Sequence, residues 1–294
     1  MANIKEYNIK IKSLKNTQKI TKTMKMVSAS KLRKAQEAQV ANKVYAQNIT
    51  ALISRISNSV DSAMHPLLSI REIHKKALIV IITSDKGLCG AFNYNANKRV
   101  ELWIHENEKN YDTIDISCCG KKGHMYFRRR RNIKMNYENV TLKPKFSDAI
   151  RIGEDLAKSF IAREYDEVYL TYNQFFSPLS QKTVFEKILP IDPHTLASTK
   201  KEEKEIQKKT DYLFEPAPAE LLKYLVPQFL YFKIYFALLE NSAGEHGARM
   251  SAMDNATKNA TELTDRYTLL RNRARQAAIT TELIEIISGA EALN

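Results

Sequence analysis

Toward the end of the chain, apolar and small side chains recur at gaps of three or four: Met250, Met253, Ala256, Ala260, Leu263, Tyr267, Leu270, Ala274 and Ala277. That spacing follows one face of an α-helix. Neither Gly nor Pro occurs between Ala248 and Ser288, so the pattern predicts an unbroken helix that Gly289 closes as its C′ residue. This stretch alone would run about 60 Å. A helix of that length needs a partner helix or something to span, and a stripe rich in Ala and Thr calls for a close partner.

The opposite end of the chain supplies one. Residues 1–65 also lack Gly and Pro, and Met24, Val27, Lys31, Lys34, Ala38, Ala41, Tyr45, Ile49, Leu52 and Ile56 keep three-four spacing, with a slip in register between Leu14 and Ile20. The reading is one helix from Asn3 to Ser59, about 85 Å long. It pairs antiparallel with a C-terminal helix that opens near Pro216 or Pro218, contains Pro227 and runs roughly 105 Å.

Between them the texture changes. Ala77–Thr83 is a wholly apolar, β-branched run, which predicts a strand buried on both faces. A loop and a helix over Asn93–Glu108 follow it. The same grammar repeats as a strand over Thr113–Cys118, a glycine loop over Cys119–Gly123 and a helix over Lys122–Arg131. Further along, the pattern predicts a strand over Ile133–Val140, a helix over Phe146–Glu164, and a hairpin edge from strands Asp166–Phe175 and Lys182–Ile191. Alternating strands and helices argue a parallel α/β layer. The fold class is therefore α/β: a long antiparallel coiled coil of the terminal helices plus a central, Rossmann-like α/β domain. The segments are 1–65, 66–210 and 211–294.

Charge sharpens this division. The formal net charge is +13, yet residues 1–60 carry most of it and residues 210–294 are net acidic, which suits two terminal helices lying together. Cys89, Cys118 and Cys119 form neither a disulfide framework nor a metal pattern. The lysine-rich start has no apolar stretch of the kind that opens a secretory signal. Tyr224–Leu239, the most apolar window, is interrupted by Pro227, Gln228 and Lys233 and falls short of a membrane span.

Candidate chemistry is thin. Ser84–Gly90, SDKGLCG, sits where an open α/β sheet places a phosphate loop, but Gly87 and Gly90 match neither common phosphate-loop spacing. Catalytic motifs and HExxH are absent. Three readings stand on the residues alone: a noncatalytic mechanical subunit, an α/β nucleotide-binding enzyme with helical arms, and a basic nucleic-acid adaptor. Only Tyr7 and Tyr45 could stack on bases in the basic helix.

Four motifs together carry a resemblance that extends from end to end: TQKITKTMKMVSASKLRKAQ at Thr17–Gln36, SDKGLCGAFN at Ser84–Asn93, YLFEP at Tyr212–Pro216, and EHGARMSAMDNAT with ARQAAITTELIEIISGAEAL. The chain resembles the gamma subunit of the F-type ATP synthase. The resemblance implies a rotor shaft inside the ring of alpha and beta subunits, standing on the membrane c-ring beside the epsilon subunit. It also implies no active site, no cofactor, no nucleic acid, and a peripheral location on the cytoplasmic face of the bacterial inner membrane. Met24, Arg249, Gln276 and Thr280 match positions associated with shaft contacts and coupling to beta, with Arg249 expected near Met24; Glu215 matches the foot toward the c-ring. Gly244 and Gly247 stand where Ser or Ala is more usual, a departure expected to loosen the helix there. The family's chloroplast-type cysteine insertion is missing, so redox control of that kind is not implied.

Overall fold

The computed structural model describes residues 2–57, 65–71, 74–192 and 218–291. In chain order the elements are α1 (Ala2–Ser57), β1 (Lys76–Ile82), α2 (Phe92–Asn107), β2 (Thr113–Cys119), α3 (Lys121–Phe127), β3 (Ile133–Tyr137), α4 (Phe146–Ile161), β4 (Glu167–Ser177), β5 (Ser180–Leu189) and α5 (Pro218–Glu291). They fall into two compact units. Residues Met1–Ala29 and Arg249–Asn294 form a helical unit, and Ser30–Ala248 form an α/β unit.

The α/β unit is built on a five-stranded sheet in the order β3-β2-β1-β4-β5. The first four strands are parallel; β5 returns antiparallel to β4. The central strand β1 is buried on both faces, as its unbroken apolar run requires. Its alternate residues feed two cores. Leu78, Val80 and Ile82 pack with Ile152 and Leu156 of α4 and with Val226, Leu230, Ile234 and Leu238 of α5. Ala77, Ile79 and Ile81 pack with Ala96, Val100 and Ile104 of α2 and with Phe127 of α3. Each fully buried aliphatic side chain contributes about 2 kcal/mol of transfer free energy, so the sheet is the stable body of this unit.

Several boundaries differ from the sequence reading. Helix α3 stops at Phe127 and the Arg128–Arg131 run lies beyond it. Gly123 lies inside α3 instead of ending the loop before it. The hairpin strands extend to a two-residue turn, Pro178–Leu179, with Ser177 paired to Ser180. At the end of the chain, Gly289 does not stop the helix, which continues to Glu291. The helix also passes through Pro227; Lys223, whose carbonyl loses its i+4 donor there, is exposed. Residues 193–217, which include the charged connection, Pro216 and Glu215, lie outside the described residues.

Candidate functional site

In the helical unit, the positions of α1 withdrawn from solvent are Ile4, Tyr7, Ile11, Leu14, Gln18, Thr21, Lys25 and Ser28, with Met24 flanking them. Their gaps alternate three and four without interruption, which is a heptad seam. No slip occurs between Leu14 and Ile20, because polar Gln18 fills the place where the apolar pattern appears to break. Val27 is 50% exposed and Lys31 and Lys34 are exposed, so the predicted apolar stripe lies beside the seam. Helix α5 repeats the pattern with Met250, Met253, Thr257, Ala260, Thr264, Tyr267, Arg271, Ala274 and Ala278, all buried or half-buried.

The two seams meet antiparallel. The rings of Tyr7 and Tyr267 lie with centroids 6.1 Å apart, and Lys10 Nζ stands 5.6 Å over Tyr267. Gln18 Nε2 donates to Thr261 Oγ1 at 2.8 Å. The hydroxyls of Thr21 and Thr257 are 2.7 Å apart. Lys25 Nζ donates to Asp254 Oδ1 at 2.6 Å, while Lys258 reaches the other oxygen at 3.4 Å. The Lys25 hydrogen bond, reinforced by the charges of Lys25 and Lys258, holds the Asp254 carboxyl below its ordinary range. Threonine is tolerated in this helix because its hydroxyl bonds back one turn: Thr257 to Met253, Thr261 to Thr257, Thr264 to Ala260 and Thr268 to Thr264.

The residues singled out in the sequence fall in three settings. Met24 is half-buried beside Lys25, and Arg249 is buried at 7% exposure. Because Lys25 pairs with Asp254, the register sets Arg249 five positions from the residue opposite Lys25, more than one helical turn from Met24's counterpart. Gln276 and Thr280 are exposed, and the Thr280 hydroxyl donates to the Gln276 carbonyl at 3.0 Å. Glu215 lies outside the described residues. Beyond them, every residue from Ile279 to Ala290 is exposed, including Ile279, Leu283, Ile284, Ile286 and Ile287. An all-exposed helix carrying five large aliphatics is a surface for a partner.

The loop that imitates a phosphate site is already filled by the chain itself. The first amides of α3 find partners in turn: Lys121 N donates to Asp85 Oδ1 at 3.1 Å, Lys122 N to the Ser84 carbonyl at 3.1 Å, and Gly123 N to Thr83 Oγ1 at 2.8 Å. Asp85 also accepts from Asn139 N at 3.1 Å and from Thr141 Oγ1 at 2.8 Å. Ser84 N donates to Asn93 Oδ1 at 2.9 Å. A phosphate would have to displace a buried carboxylate to reach these amides. Cys118 and Cys119 are buried thiols; burial pushes the Cys118 thiol up to about 12 and raises Cys119 as well. Such thiols are poor nucleophiles. Among the described residues no group of His, Cys, Asp or Glu could hold a metal ion, and no helix is long and apolar enough to cross a membrane.

Within the α/β unit, α5 is seated on the β4–β5 hairpin by close packing and buried polar contacts. Cβ atoms at Gly244 and Gly247 would lie 3.0 Å from Phe92 Cε2 and 3.1 Å from Phe175 Cε2 respectively. The two glycines therefore tighten the approach of the helix, where the departure from Ser or Ala was expected to loosen it. Glu240 accepts from Phe175 N at 2.7 Å and also from Gln39 of α1, and Asn241 accepts from Asn173 N at 3.5 Å.

Comparison with known proteins places this arrangement in context. Residues 3–293 match a family model described as ATP synthase. The chain is 45% identical over 293 residues to the ATP synthase gamma chain of Geobacter metallireducens, covering 100% of this chain and 99% of that one. It is 43% identical over 294 residues to the gamma chain of Pelotomaculum thermopropionicum, with both chains fully covered. Among solved structures it is similar to a chain of the central stalk and c-ring of Tetrahymena thermophila mitochondrial ATP synthase, with a TM-score of 0.59 and 26% identity over 81% of this chain and 99% of that one. A rotor chain of the Euglena gracilis mitochondrial enzyme shares the fold, with a TM-score of 0.66 at 20% identity over 95% of this chain and 99% of that one.

Proposed function

Because this chain belongs to the ATP synthase gamma chain family, we propose that its paired helices turn inside the alpha/beta ring and set the state of each beta subunit by direct contact. The chain is the noncatalytic central stalk of the complex. It transmits rotation of the membrane c-ring to the catalytic ring, so that proton flow drives ATP synthesis and hydrolysis drives pumping in reverse. Its partners are the alpha and beta subunits, the epsilon subunit and the c-ring. It attaches to the membrane through the complex, on the cytoplasmic face of the bacterial inner membrane.

The observation that carries this reading is the exposed, aliphatic end of α5 from Ile279 to Ala290. Left in water, that surface is unfavourable by about 25 cal/mol for each Å² of apolar area; enclosed by a ring of partner subunits, it becomes a bearing. A rotor needs no bond to substrate. It acts by touching one conformation of beta better than another, the only way in which a bound partner shifts an equilibrium. In this reading Met24, Arg249, Gln276 and Thr280 lie on or support the contact surface, and Glu215 belongs to the foot at the c-ring. The chain divides into an N-terminal shaft helix (1–65), a central domain (66–210) and a C-terminal shaft helix (211–294).

The filled loop at Ser84–Gly90 supports this reading over the nucleotide-enzyme alternative. Purified alone, the chain neither binds nor hydrolyses ATP; added to alpha and beta subunits, it assembles with them and makes hydrolysis drive proton pumping in membranes. ATP turnover by the isolated chain, or full pumping by a complex lacking it, would overturn the reading.

A further inference from the structure

The β4–β5 hairpin outruns its own sheet. Parallel pairing of β1 with β4 ends at Ile81 and Thr171, yet β4 continues six residues further, to Ser177, a rise of about 20 Å. Along this overhang β4 pairs with β5 alone, from Tyr172 with Val184 to Ser177 with Ser180. A free two-stranded ribbon is marginal in water, and this one is held from the side by α5. Contacts with the helix advance in step with the strand. Asn173 N donates to Asn241 Oδ1, and Phe175 Cε2 and Pro178 Cα each lie 3.1 Å from where a Cβ on Gly247 would stand. At the turn, Gln181 Nε2 donates to the carbonyls of Ser177 at 2.9 Å and Pro178 at 3.0 Å, and Ser180 N donates to Ser177 Oγ at 3.0 Å. The tip is therefore a braced projection, and the side chains it presents are the wrong ones for water. Phe176 is 60% exposed and Leu179 84%, where a tight turn ordinarily carries Gly, Asn, Asp or Ser.

We propose that this tip is a second rotor contact, outside the paired shaft helices, and that it seats against an apolar patch on the rim of one beta subunit at a time, where the shaft enters the ring. The proposal rests on the rotor reading given above. In that reading the ring encloses α5 from Arg249 onward, and the hairpin turn packs on the same helix at Gly247, two residues earlier. Pro218, where α5 begins after the foot, is about 44 Å back along the helix. The partner surface nearest the tip is therefore the rim of the ring and not the c-ring. Because the hairpin lies against one side of α5, it meets one sector of the ring at a time. A contact of that kind can shift only a subunit that has more than one conformation, which selects beta over alpha. Burying Phe176 and Leu179 there removes the apolar surface that the tip otherwise leaves in water.

The test uses the complete, membrane-bound complex. A benzoyl-phenylalanine photoprobe replaces Leu179 in one preparation and Ile279 in another. On illumination the probe at position 179 should join the chain to beta, and ATP hydrolysis should fall in proportion to the fraction joined, since a rotor tied to one subunit cannot turn. A probe that joins only to alpha, epsilon, the c-ring or lipid, or to nothing, overturns the proposal. The rotor reading then stands if the probe at position 279 still joins to alpha or beta, and it falls if that probe too reaches neither. Independently, Phe176→Ser combined with Leu179→Ser should keep the thermal midpoint of the purified chain and lower proton-driven ATP synthesis about fivefold. Synthesis at the parental rate overturns the proposal even where the probe reaches beta. Should the midpoint of the double variant fall, Leu179→Ser alone, at the more exposed position, decides by the same rate: reduced synthesis supports the contact, and the parental rate overturns it.

Discussion

Gly153 of α4 faces Tyr231 of α5 so closely that a Cβ on the glycine would lie 2.4 Å from Tyr231 Cδ1 and 3.4 Å from Ile234 Cδ1. The contact joins the amphipathic helix of the α/β layer to the first half of the long C-terminal helix. Gly153→Ala therefore sets two effects against each other. Alanine favours the helix by about 1 kcal/mol, while overpacking costs about 1–3 kcal/mol, and the 2.4 Å approach makes the steric effect win. The variant should lower the thermal midpoint of the purified chain, and adding Tyr231→Ala should recover part of the loss. A midpoint at or above that of the parent would mean that the Tyr231 ring simply moves aside.

Asp85 connects three segments that are distant in sequence. Its carboxylate accepts from Lys121 N, Asn139 N and Thr141 Oγ1, and the residue is 8% exposed. Asp85→Ala leaves those donors buried without an acceptor and removes the cap of α3, a loss of about 3 kcal/mol. Asp85→Asn keeps one acceptor oxygen and should lose less. Denaturant unfolding of both variants checks the ranking. If Asp85→Ala matched the parent, water would have to satisfy the same donors.

The sheet was legible because its chemistry is one-sided: β1 is an unbroken aliphatic run, and burial on both faces is what such a run requires. The shaft was harder to read. Counting only apolar residues selected Met24, Val27, Ala256 and Leu263, yet Val27 and Leu263 are 50% and 40% exposed, while Thr21, Ser28 and Thr264 are buried. The true seam lies one position along α1; on α5 it shares Met250, Met253, Ala260, Tyr267 and Ala274 with the apolar stripe and departs from it by one position at Thr257, Thr264, Arg271 and Ala278. Small polar residues that satisfy themselves against the preceding turn can occupy a seam, and hydrophobicity alone does not register them. Strict alternation of gaps of three and four, with Thr, Ser and Gln admitted, would have found it. SDKGLCG stands where a sheet places a phosphate loop, yet Gly87 and Gly90 fit no phosphate-loop spacing, and Asp85 within the same loop turns inward to accept from Lys121 N, Asn139 N and Thr141 Oγ1.

Glu167 provides a pH handle on the α/β unit. Burial alone raises its carboxyl, but hydrogen bonds from Tyr111, Tyr169 and Lys187 outweigh burial and bring it below its ordinary value. Tyr169 Oη donates at 2.7 Å and Lys187 Nζ at 3.2 Å. A carboxylate with a lowered folded value stabilises the protein fully above its unfolded value of about 4.3. That contribution disappears as pH falls through the folded value. Glu167→Gln should be less stable than the parent at neutral pH, with the difference shrinking below about pH 4. Melting midpoints across that range test it; a constant gap would assign the loss to packing alone.

The adjacent thiols lend themselves to a simple chemical check. Cys118 and Cys119 are both 0% exposed, and burial holds both in the thiol form. At about pH 8 an ordinary cysteine is partly thiolate and alkylates readily. Here neither should react with iodoacetamide until the chain is unfolded in denaturant, where all three cysteines should label. Mass spectrometry of peptides from native and unfolded samples distinguishes the two states, and rapid native labelling of Cys118 would show that β2 opens.

The shaft itself is most directly tested at Ala277, which is exposed in α5 and whose carbonyl accepts the Thr281 hydroxyl at 3.0 Å. Proline there removes the amide that bonds to the Arg273 carbonyl, and its ring collides with that turn, a cost of about 3 kcal/mol or more. The damage should be local. The α/β unit, held by its own two cores, should keep its unfolding midpoint, while the segment Ile279–Ala290 loses its alignment with the turns before it. In membranes, Ala277→Pro should impair assembly or lower proton-driven ATP synthesis at least tenfold, a barrier change of about 1.4 kcal/mol. Ala277→Ser, which keeps the amide and nearly the same volume, should leave both close to the parent. Synthesis at the parental rate in the proline variant would mean that torque does not pass through these turns of the helix.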